Sequence, residues 1–314
     1  MQILLHCVCN ICVSLNLSLT INSAALSFYL CYIIILMELQ NTLKQLQCHI
    51  KKMGSLAVAY SGGVDSTFLL KVTHDVLQDR AIAVTARSST YPERELNDAA
   101  EFTRITGIKH IVIQSEELEI EGFTNNPPNR CYLCKYELFS KIKEVAQKYN
   151  IKHIAEGSNI DDLGDYRPGM QAIKELGIIS PLKDVGFGKD AIRKLSKQMG
   201  LPTWDKQSFA CLASRFPYGD KITPEKLTMV DRAEQYLLDL GFKQVRARHH
   251  GDTARIEVAE AERLKFFDLE LMDNVYKQFQ EIGFAYTSLD LKGYRTGSMN
   301  EVIDTKQTVL TKEP

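Results

Sequence analysis

The chain has 314 residues, 45% of them hydrophobic and 25% charged, with 38 lysines and arginines against 39 aspartates and glutamates and a formal net charge of -1. That balance excludes an intrinsically disordered chain, a collagen-like repeat and a disulfide-stapled miniprotein, and it supplies no general basic field for nucleic acid. The apolar content suffices for a sizeable core and the length fits about two domains.

Residues 1–37 contain no Asp, Glu, Lys or Arg, and they hold four of the eight cysteines. A secretory signal needs a basic start and a small-residue cleavage site, and a membrane span needs about 20 continuous apolar residues. The start is not basic, and Asn10, Ser14, Asn16, Ser18, Asn22 and Ser23 interrupt the apolar run. Residues 1–36 are therefore expected to be an apolar extension outside the fold, with no membrane role and a cytoplasmic location for the protein. An amphipathic helix is expected from Met37 to about Met53, opening a domain that runs from 37 to 215.

Leu56 to Tyr60 reads as a buried strand, stopped by Ser61-Gly62-Gly63-Val64-Asp65-Ser66, after which apolar residues at helical spacing run to Leu77. A second strand is predicted at Ala81–Ala86, a helix from Glu93 behind Pro92 to Thr106 with Gly107 closing it, and a third strand at His110–Ile113. A helix from about Tyr132 to Tyr149 leads to a fourth strand at His153–Ala155. Strands alternating with helices of this length build right-handed βαβ units on a parallel sheet, an α/β fold whose ligands sit beyond the carboxyl ends of the strands. From about residue 216 the pattern changes to helix (Glu225–Leu240), strand (Val245–His249), strand (Ala254–Val258), helices to about Glu281 and strand (Phe284–Leu289). Strands next to one another point to a second, smaller α+β domain over 216–314.

The Ser61–Ser66 loop lies between a strand and a helix start, where free backbone N–H groups and the helix dipole favour an anion, and two glycines allow close approach. It lacks the Walker pattern and its lysine. The bland alternative is a strand-to-helix turn capped by Asp65 or Ser66. The motif resembles that of the PP-loop ATP pyrophosphatases, of adenine-nucleotide α-hydrolase-like fold. The resemblance implies Mg2+ and ATP, pyrophosphate release, an adenylated carboxylate or carbonyl, and nucleotide contacts from Ser61, Gly62, Gly63, Asp65 and Ser66, with Arg87 beside the adenosine.

Beyond residue 37 the cysteines are Cys48, Cys131, Cys134 and Cys211. A C-x-x-C at a helix start lowers thiol pKa through the dipole and suits metal or redox chemistry, although two merely buried thiols would read the same way. Tetrahedral zinc lacks a fourth cysteine unless Cys48 or a histidine joins, whereas three thiolates leave one corner of a [4Fe-4S] cluster open to sulfide.

Around these residues stand Glu156-Gly157-Ser158-Asn159-Ile160-Asp161-Asp162, Ser180-Pro181-Leu182-Lys183-Asp184, Trp204-Asp205-Lys206 and Cys211-Leu212-Ala213-Ser214-Arg215-Phe216-Pro217. Together they resemble the LarE family of ATP-dependent sulfur transferases, from Met37 to about Glu301. One departure is Gln207, where the family commonly has proline. The resemblance implies a pyridinium-3,5-dicarboxylic mononucleotide as substrate and its thiocarboxylate as product, a precursor of the nickel-pincer cofactor of lactate racemase. Sulfur would come either from Cys211 itself or from a cluster on Cys131, Cys134 and Cys211.

Charge built up on phosphate and carbonyl oxygens calls for cations, for which Lys183, Lys206, Arg167 and Arg215 are candidates beside Glu156 and Asp161. Lys206 and Arg215 are assigned to catalysis with the three cysteines, and Lys183, Glu156 and Asp161 to the nucleotide. Arg246, Arg248 and His250 alternate along one strand and share a face at about 7 Å spacing, which suits an anionic substrate, or else forms a polar outer face of a half-buried sheet. Arg167, Ser214 and Arg295 complete the expected substrate set. A homo-oligomer without nucleic-acid or membrane partners is expected. The competing readings are a PP-loop tRNA thiolase with a [4Fe-4S] cluster, an amidating synthetase, and a non-catalytic ATP sensor with idle cysteines.

Overall fold

The computed structural model describes residues 23–162, 168–207, 210–295 and 297–298. By internal contacts the chain divides into residues 1–44 and 45–314, and helix α1 (Ser23–Met53) crosses that boundary. The expected start at Met37 is thus corrected to Ser23: no glycine or proline interrupts residues 23–53, so nothing stops the helix from running back into the uncharged segment. All that follows concerns the second unit.

Four parallel strands form the first sheet, in the order β3-β2-β1-β4, with β1 at Leu56–Ala59, β2 at Ala81–Arg87, β3 at Lys109–Gln114 and β4 at His153–Ala155. Leu56 pairs with Ala81 on one side and with His153 on the other. Both faces of β1 and β2 are covered, which is why these strands read as unbroken apolar runs rather than alternating ones. Helices α2 (Val64–Leu77), α3 (Glu93–Thr106), α4 (Arg130–Lys148), α5 (Gly169–Glu175), α6 (Pro181–Asp184) and α7 (Lys189–Gln198) connect and cover them. On one face Phe139, Ile142 and Ala146 of α4 and Ile173 of α5 pack against Ala57, Ile82, Val84 and Ile154 of the sheet. Phe68 of α2 meets Phe187 edge to face, with ring centres 5.4 Å apart.

Helix α3 behaves as its sequence predicts: Pro92 precedes it and Gly107 at φ 70° ends it, a left-handed position that glycine adopts without strain. Since β1 leads to β2 on one side while β4 arrives on the other, the chain changes direction between β1 and β4. Sheets of this kind bind ligands at the carboxyl ends of strands that flank such a point.

The second sheet has the order β5-β6-β7 (Val245–His250, Thr253–Val258, Tyr286–Leu289), with β5 antiparallel and β7 parallel to β6. Helix α8 (Pro224–Asp239) is capped by the Thr223 hydroxyl, which accepts from the Lys226 N–H at 3.3 Å, and α9 (Leu269–Ile282) is capped by Asp268. Their apolar faces meet the sheet through Leu237, Ala247, Ile256, Phe279 and Phe284. No described helix is long and apolar enough to cross a membrane.

Candidate active site

Between β1 and α2 the chain turns through Tyr60–Gly63. Gly62 holds φ 62°, and a Cβ placed there would lie 3.3 Å from the Ala99 Cβ, so both the backbone and the space demand glycine. The Ser66 hydroxyl accepts the Ser61 N–H at 3.3 Å and donates to the Gly63 carbonyl at 3.3 Å, while the two serine hydroxyls stand 3.1 Å apart. Gly157, just beyond β4, comes so close that an added Cβ would sit 3.0 Å from the Ser66 nitrogen. The loops after β1 and β4 therefore close on each other at the point where the sheet changes direction.

A cavity of about 510 Å3 opens there. Ser61, Gly63, Asp65 and Ser66 form its floor, Val84, Thr85, Ala86, Ser88, Thr90 and Tyr91 follow from β2 and the turn beyond it, and Leu138, Phe139 and Ile142 supply an apolar wall. Glu156, Gly157, Ser158 and Asp162 come from the end of β4. Asp65 is paired with Lys189, the first residue of α7. Burial lifts the Asp65 carboxyl above the usual range even though Lys189 pulls it the other way, and its Oδ1 is buried with no hydrogen-bond partner. Glu156 accepts from the Ser158 hydroxyl at 2.7 Å and the Ser180 hydroxyl at 2.5 Å.

The same cavity is lined by Cys134 and Cys211. Cys134 lies near the start of α4 and packs against the cluster of Phe123, Leu212, Ala213, Phe216 and Ile222. Leu212 and Ala213 follow Cys211 directly, so one small apolar core draws together two segments far apart in sequence. Backbone and side-chain bonds secure the joint: the Asn126 amide donates to the Phe216 and Pro217 carbonyls at 3.2 and 2.6 Å, and the Ile222 N–H to Thr124 at 2.8 Å.

A helix start was expected to lower the thiol pKa, and for Cys134 the structure reverses this. Burial pushes the thiol well above its ordinary value, and Cys211, Glu117 and Cys131 add to the rise because each would place a negative charge nearby. Its Sγ lies 3.7 Å from Glu117 Oε1, and Glu117 Oε2 is buried without a partner. Cys211 exposes surface on the cavity wall, yet loss of water around its sulfur raises the thiol; the Thr90 hydroxyl and the Arg130 charge offset part of that rise, and Cys131 adds to it. Cys131 thus bears on the thiols of both Cys134 and Cys211, and Cys211 on that of Cys134. Among the described residues no three His, Cys, Asp or Glu side chains are already arranged around a metal position.

Other expected site residues are distributed unevenly. Arg87 lies outside the cavity lining and pairs with Glu93 at 3.0 Å, and Lys183 is not in the lining either. Asp161 accepts the Lys189 N–H at 2.6 Å, leaving its neighbour Asp162 on the cavity wall. Lys206 bridges Glu95 at 3.0 Å and Asp98 at 2.9 Å. Arg215 is fully buried, held by both oxygens of Glu234 at 2.7 and 2.8 Å, and it donates to the Ala210 and Cys211 carbonyls at 2.7 and 3.1 Å and to Ser214 Oγ at 2.9 Å. It thereby shapes the backbone that carries Cys211.

The row on β5 faces protein rather than the cavity. Arg248 is 4% exposed and bonds Glu257 at 2.7 Å, the Ser214 carbonyl at 2.9 Å and Ser298 at 3.0 Å, and Arg246 stacks over Tyr294 at 4.9 Å. His250 is half-buried, and Arg295 bonds the Gly293 carbonyl at 2.9 Å. Arg167 lies outside the described residues.

Sequence reasoning missed Lys189, Glu117, Thr90 and Tyr91. For the last two a signal existed: Ser88-Ser89-Thr90-Tyr91 follows a strand end, the position from which sheet ligands are held.

No family model matches the chain. It is 43% identical over 265 residues to an uncharacterized protein of Synechocystis, covering 84% of this chain and 99% of that one. It is 37% identical over 259 residues to the pyridinium-3,5-bisthiocarboxylic acid mononucleotide synthase of Lactiplantibacillus plantarum, covering 82% of this chain and 93% of the relative. The B subunit of the glutamine-hydrolyzing GMP synthase of Archaeoglobus fulgidus is 26% identical over 210 residues, 62% of this chain and 68% of its own.

Proposed function

Because the chain belongs to the LarE family of pyridinium-3,5-bisthiocarboxylic acid mononucleotide synthases, we propose that it is an ATP-dependent sulfur transferase acting on the carboxylates of pyridinium-3,5-biscarboxylic acid mononucleotide, for a nickel-pincer cofactor of the lactate racemase kind. One observation carries this reading. One open cleft is lined by Ser61, Gly63, Asp65 and Ser66 of the loop and by Cys134 and Cys211, so a nucleotide on the loop and a sulfur on the cysteines would share it.

The chemistry follows from that arrangement. The carboxylate oxygen attacks the α-phosphorus of ATP, the bond to pyrophosphate breaks, and an acyl adenylate forms. The loop N–H groups, the α2 dipole and Lys189 meet the negative charge on the phosphates. Asp65 Oδ1 is a buried oxygen without a partner, which fits one contact to Mg2+. Sulfur presented at the Cys211 side then attacks the carbonyl carbon, and AMP leaves with the electrons of the carbon–oxygen bond.

The donor set fits an iron–sulfur cluster in its chemistry. Burial, with Cys211, Glu117 and Cys131, disfavours the Cys134 thiolate, a charge that bound iron would compensate, and Glu117 Oε2 is buried without a partner. When bound on Cys131, Cys134 and Cys211, a [4Fe-4S] cluster would supply an open iron able to hold sulfide.

The test is anaerobic incubation with ATP and the dicarboxylated pyridinium nucleotide, with pyrophosphate measured and both product and polypeptide weighed by mass spectrometry. Thiocarboxylate should form, and Cys211→Ala should abolish it while pyrophosphate release persists. Thiolation retained in Cys211→Ala would refute the role of that residue. An intact polypeptide after turnover supports the cluster, whereas loss of one sulfur from Cys211 replaces the cluster with sacrifice of the cysteine.

A further inference from the structure

One buried amide joins the start of α4, which carries Cys131 and Cys134, to the loop that carries Cys211. Asn126 has no exposed surface and holds φ 51°, a left-handed backbone that asparagine tolerates better than most side chains. Its N–H donates to the Phe123 carbonyl at 2.9 Å, and its own carbonyl accepts the Gly219 N–H at 3.0 Å.

The side chain spans the joint. Its Nδ2 donates to the Phe216 and Pro217 carbonyls at 3.2 and 2.6 Å, and its Oδ1 accepts from the guanidinium of Arg130, the first residue of α4. A carbonyl only accepts and a guanidinium only donates, so these partners fix which end of the amide faces which segment. Arg130 is 5% exposed and lies over the ring of Tyr218, 4.9 Å from its centre, in the same loop as Phe216 and Pro217. Bulk water does not compete for bonds at so buried a place.

We propose that Asn126 is a positioning residue for the sulfur site, holding the Cys131–Cys134 turn and the Cys211 loop in one fixed register. The proposal rests on the sulfur-transferase reading for its role in turnover. Phe123, Leu212 and Phe216 press the two segments together, but apolar contact is non-directional. The amide adds direction. Arg130 adjoins Cys131, and Phe216 lies five residues beyond Cys211, so a shift at Asn126 reaches both sides of the site. Asparagine combines the left-handed backbone with two donors and an acceptor; aspartate lacks the donors, glutamine is a methylene longer and glycine bonds nothing through its side chain.

The test uses two variants. Asn126→Asp keeps the Arg130 bond but turns a carboxylate onto the Phe216 and Pro217 carbonyls. Asn126→Gly keeps the backbone and removes every side-chain bond without adding a charge, and it reads the same joint if the aspartate variant does not fold. The first arm needs no substrate: ethanediyl bismethanethiosulfonate cross-links the thiols of the reduced, metal-free protein, and peptide mass spectrometry identifies the pairs. The Cys134–Cys211 link should form about tenfold more slowly in each variant, the scale of one buried hydrogen bond left unmade. The Cys131–Cys134 link, within one turn of α4, should form at an unchanged rate. In the second arm, thiocarboxylate formed per pyrophosphate released should fall by about the same factor, with pyrophosphate release changed less than about twofold, a split that general loss of folding does not produce. An unchanged Cys134–Cys211 rate in either folded variant overturns the proposal, as does an equal fall in both links or in pyrophosphate release. If the cross-linking pattern holds while wild type forms no thiocarboxylate, the substrate assignment fails and the role of Asn126 in bringing the cysteines together stands.

Discussion

Replacing Arg215 by methionine separates what this residue does for stability from what it does for the Cys211 segment. Both Arg215 and Glu234 are completely buried, and their two parallel bonds measure 2.7 and 2.8 Å. Burial opposes ionisation of Glu234, yet Arg215 outweighs it and holds the carboxyl below the usual glutamate range. Arg215→Met leaves that carboxylate with the Ala247 N–H at 3.0 Å and Arg94 at 3.8 Å. Breaking a buried pair costs about 3–5 kcal/mol, and these residual partners favour the lower end, about 3 kcal/mol. Urea unfolding followed by circular dichroism reads the loss. In Arg215→Met/Glu234→Gln the stranded charge is gone while the amide still accepts from Ala247, so at least about 2 kcal/mol should return as coupling between the two sites. Sulfur transfer should not return with it, because the carbonyls of Ala210 and Cys211 still lack their guanidinium donor. A single variant that costs under about 1 kcal/mol, or a double variant as unstable as the single, would show the pair to be energetically idle. Recovery of transfer along with stability would show that Arg215 does not shape the Cys211 backbone.

Three further outcomes are expected. Gly157→Ala puts a Cβ 3.0 Å from the Ser66 nitrogen, and calorimetry should show ATP affinity falling at least about tenfold with the unfolding midpoint little changed; undiminished affinity would mean the two loops do not share the nucleotide site. Lys189→Ala removes the cation beside Asp65, so the KM for ATP should rise about tenfold while pyrophosphate release at saturating ATP changes less than threefold, and an unchanged KM counts against a nucleotide role for Lys189. Glu234, Glu262 and Asp290 all have depressed carboxyl pKa values. Their stabilisation is complete above the unfolded carboxylate range, about pH 4–4.5, and is lost as pH falls through the lower folded values. Burial lowers the imidazole pKa of His110, His249 and His250, which costs stability as pH falls below the unfolded value of about 6.5, so the urea midpoint should decline from there and drop further below about pH 4.5. A midpoint that rises on acidification contradicts this sign.

The phosphate loop was legible because its requirements are local. A left-handed Gly62, a strand before it and a helix after it are properties of a few adjacent residues, so the turn forms wherever the rest of the chain goes. Strand and helix positions in the first sheet followed from the same short-range patterns, with boundaries moved by one or two residues. The start of α1 was misread because an uncharged stretch suggested a break, whereas helix formation asks only for residues that tolerate helical backbone. The β5 arginines showed a shared face but not what that face meets; alternation gives the side of a strand, and only the partner strand and the 290s segment decide that Arg248 ends on Glu257 and Ser298.

By itself, then, the sequence determined the α/β architecture, the strand-to-helix glycine turn at Ser61–Ser66 and three cysteines suited to sulfur or metal chemistry. Only the tertiary structure decided that Cys134 and Cys211 share a cavity with that turn, that Lys189 stands beside Asp65, and that the Tyr91 hydroxyl donates to the Ser61 carbonyl while the Thr90 carbonyl accepts from Leu212. The reason is physical: local motifs depend on backbone geometry over a few residues, while meetings between distant segments depend on how apolar faces such as Phe123, Leu212 and Phe216 fit together when buried.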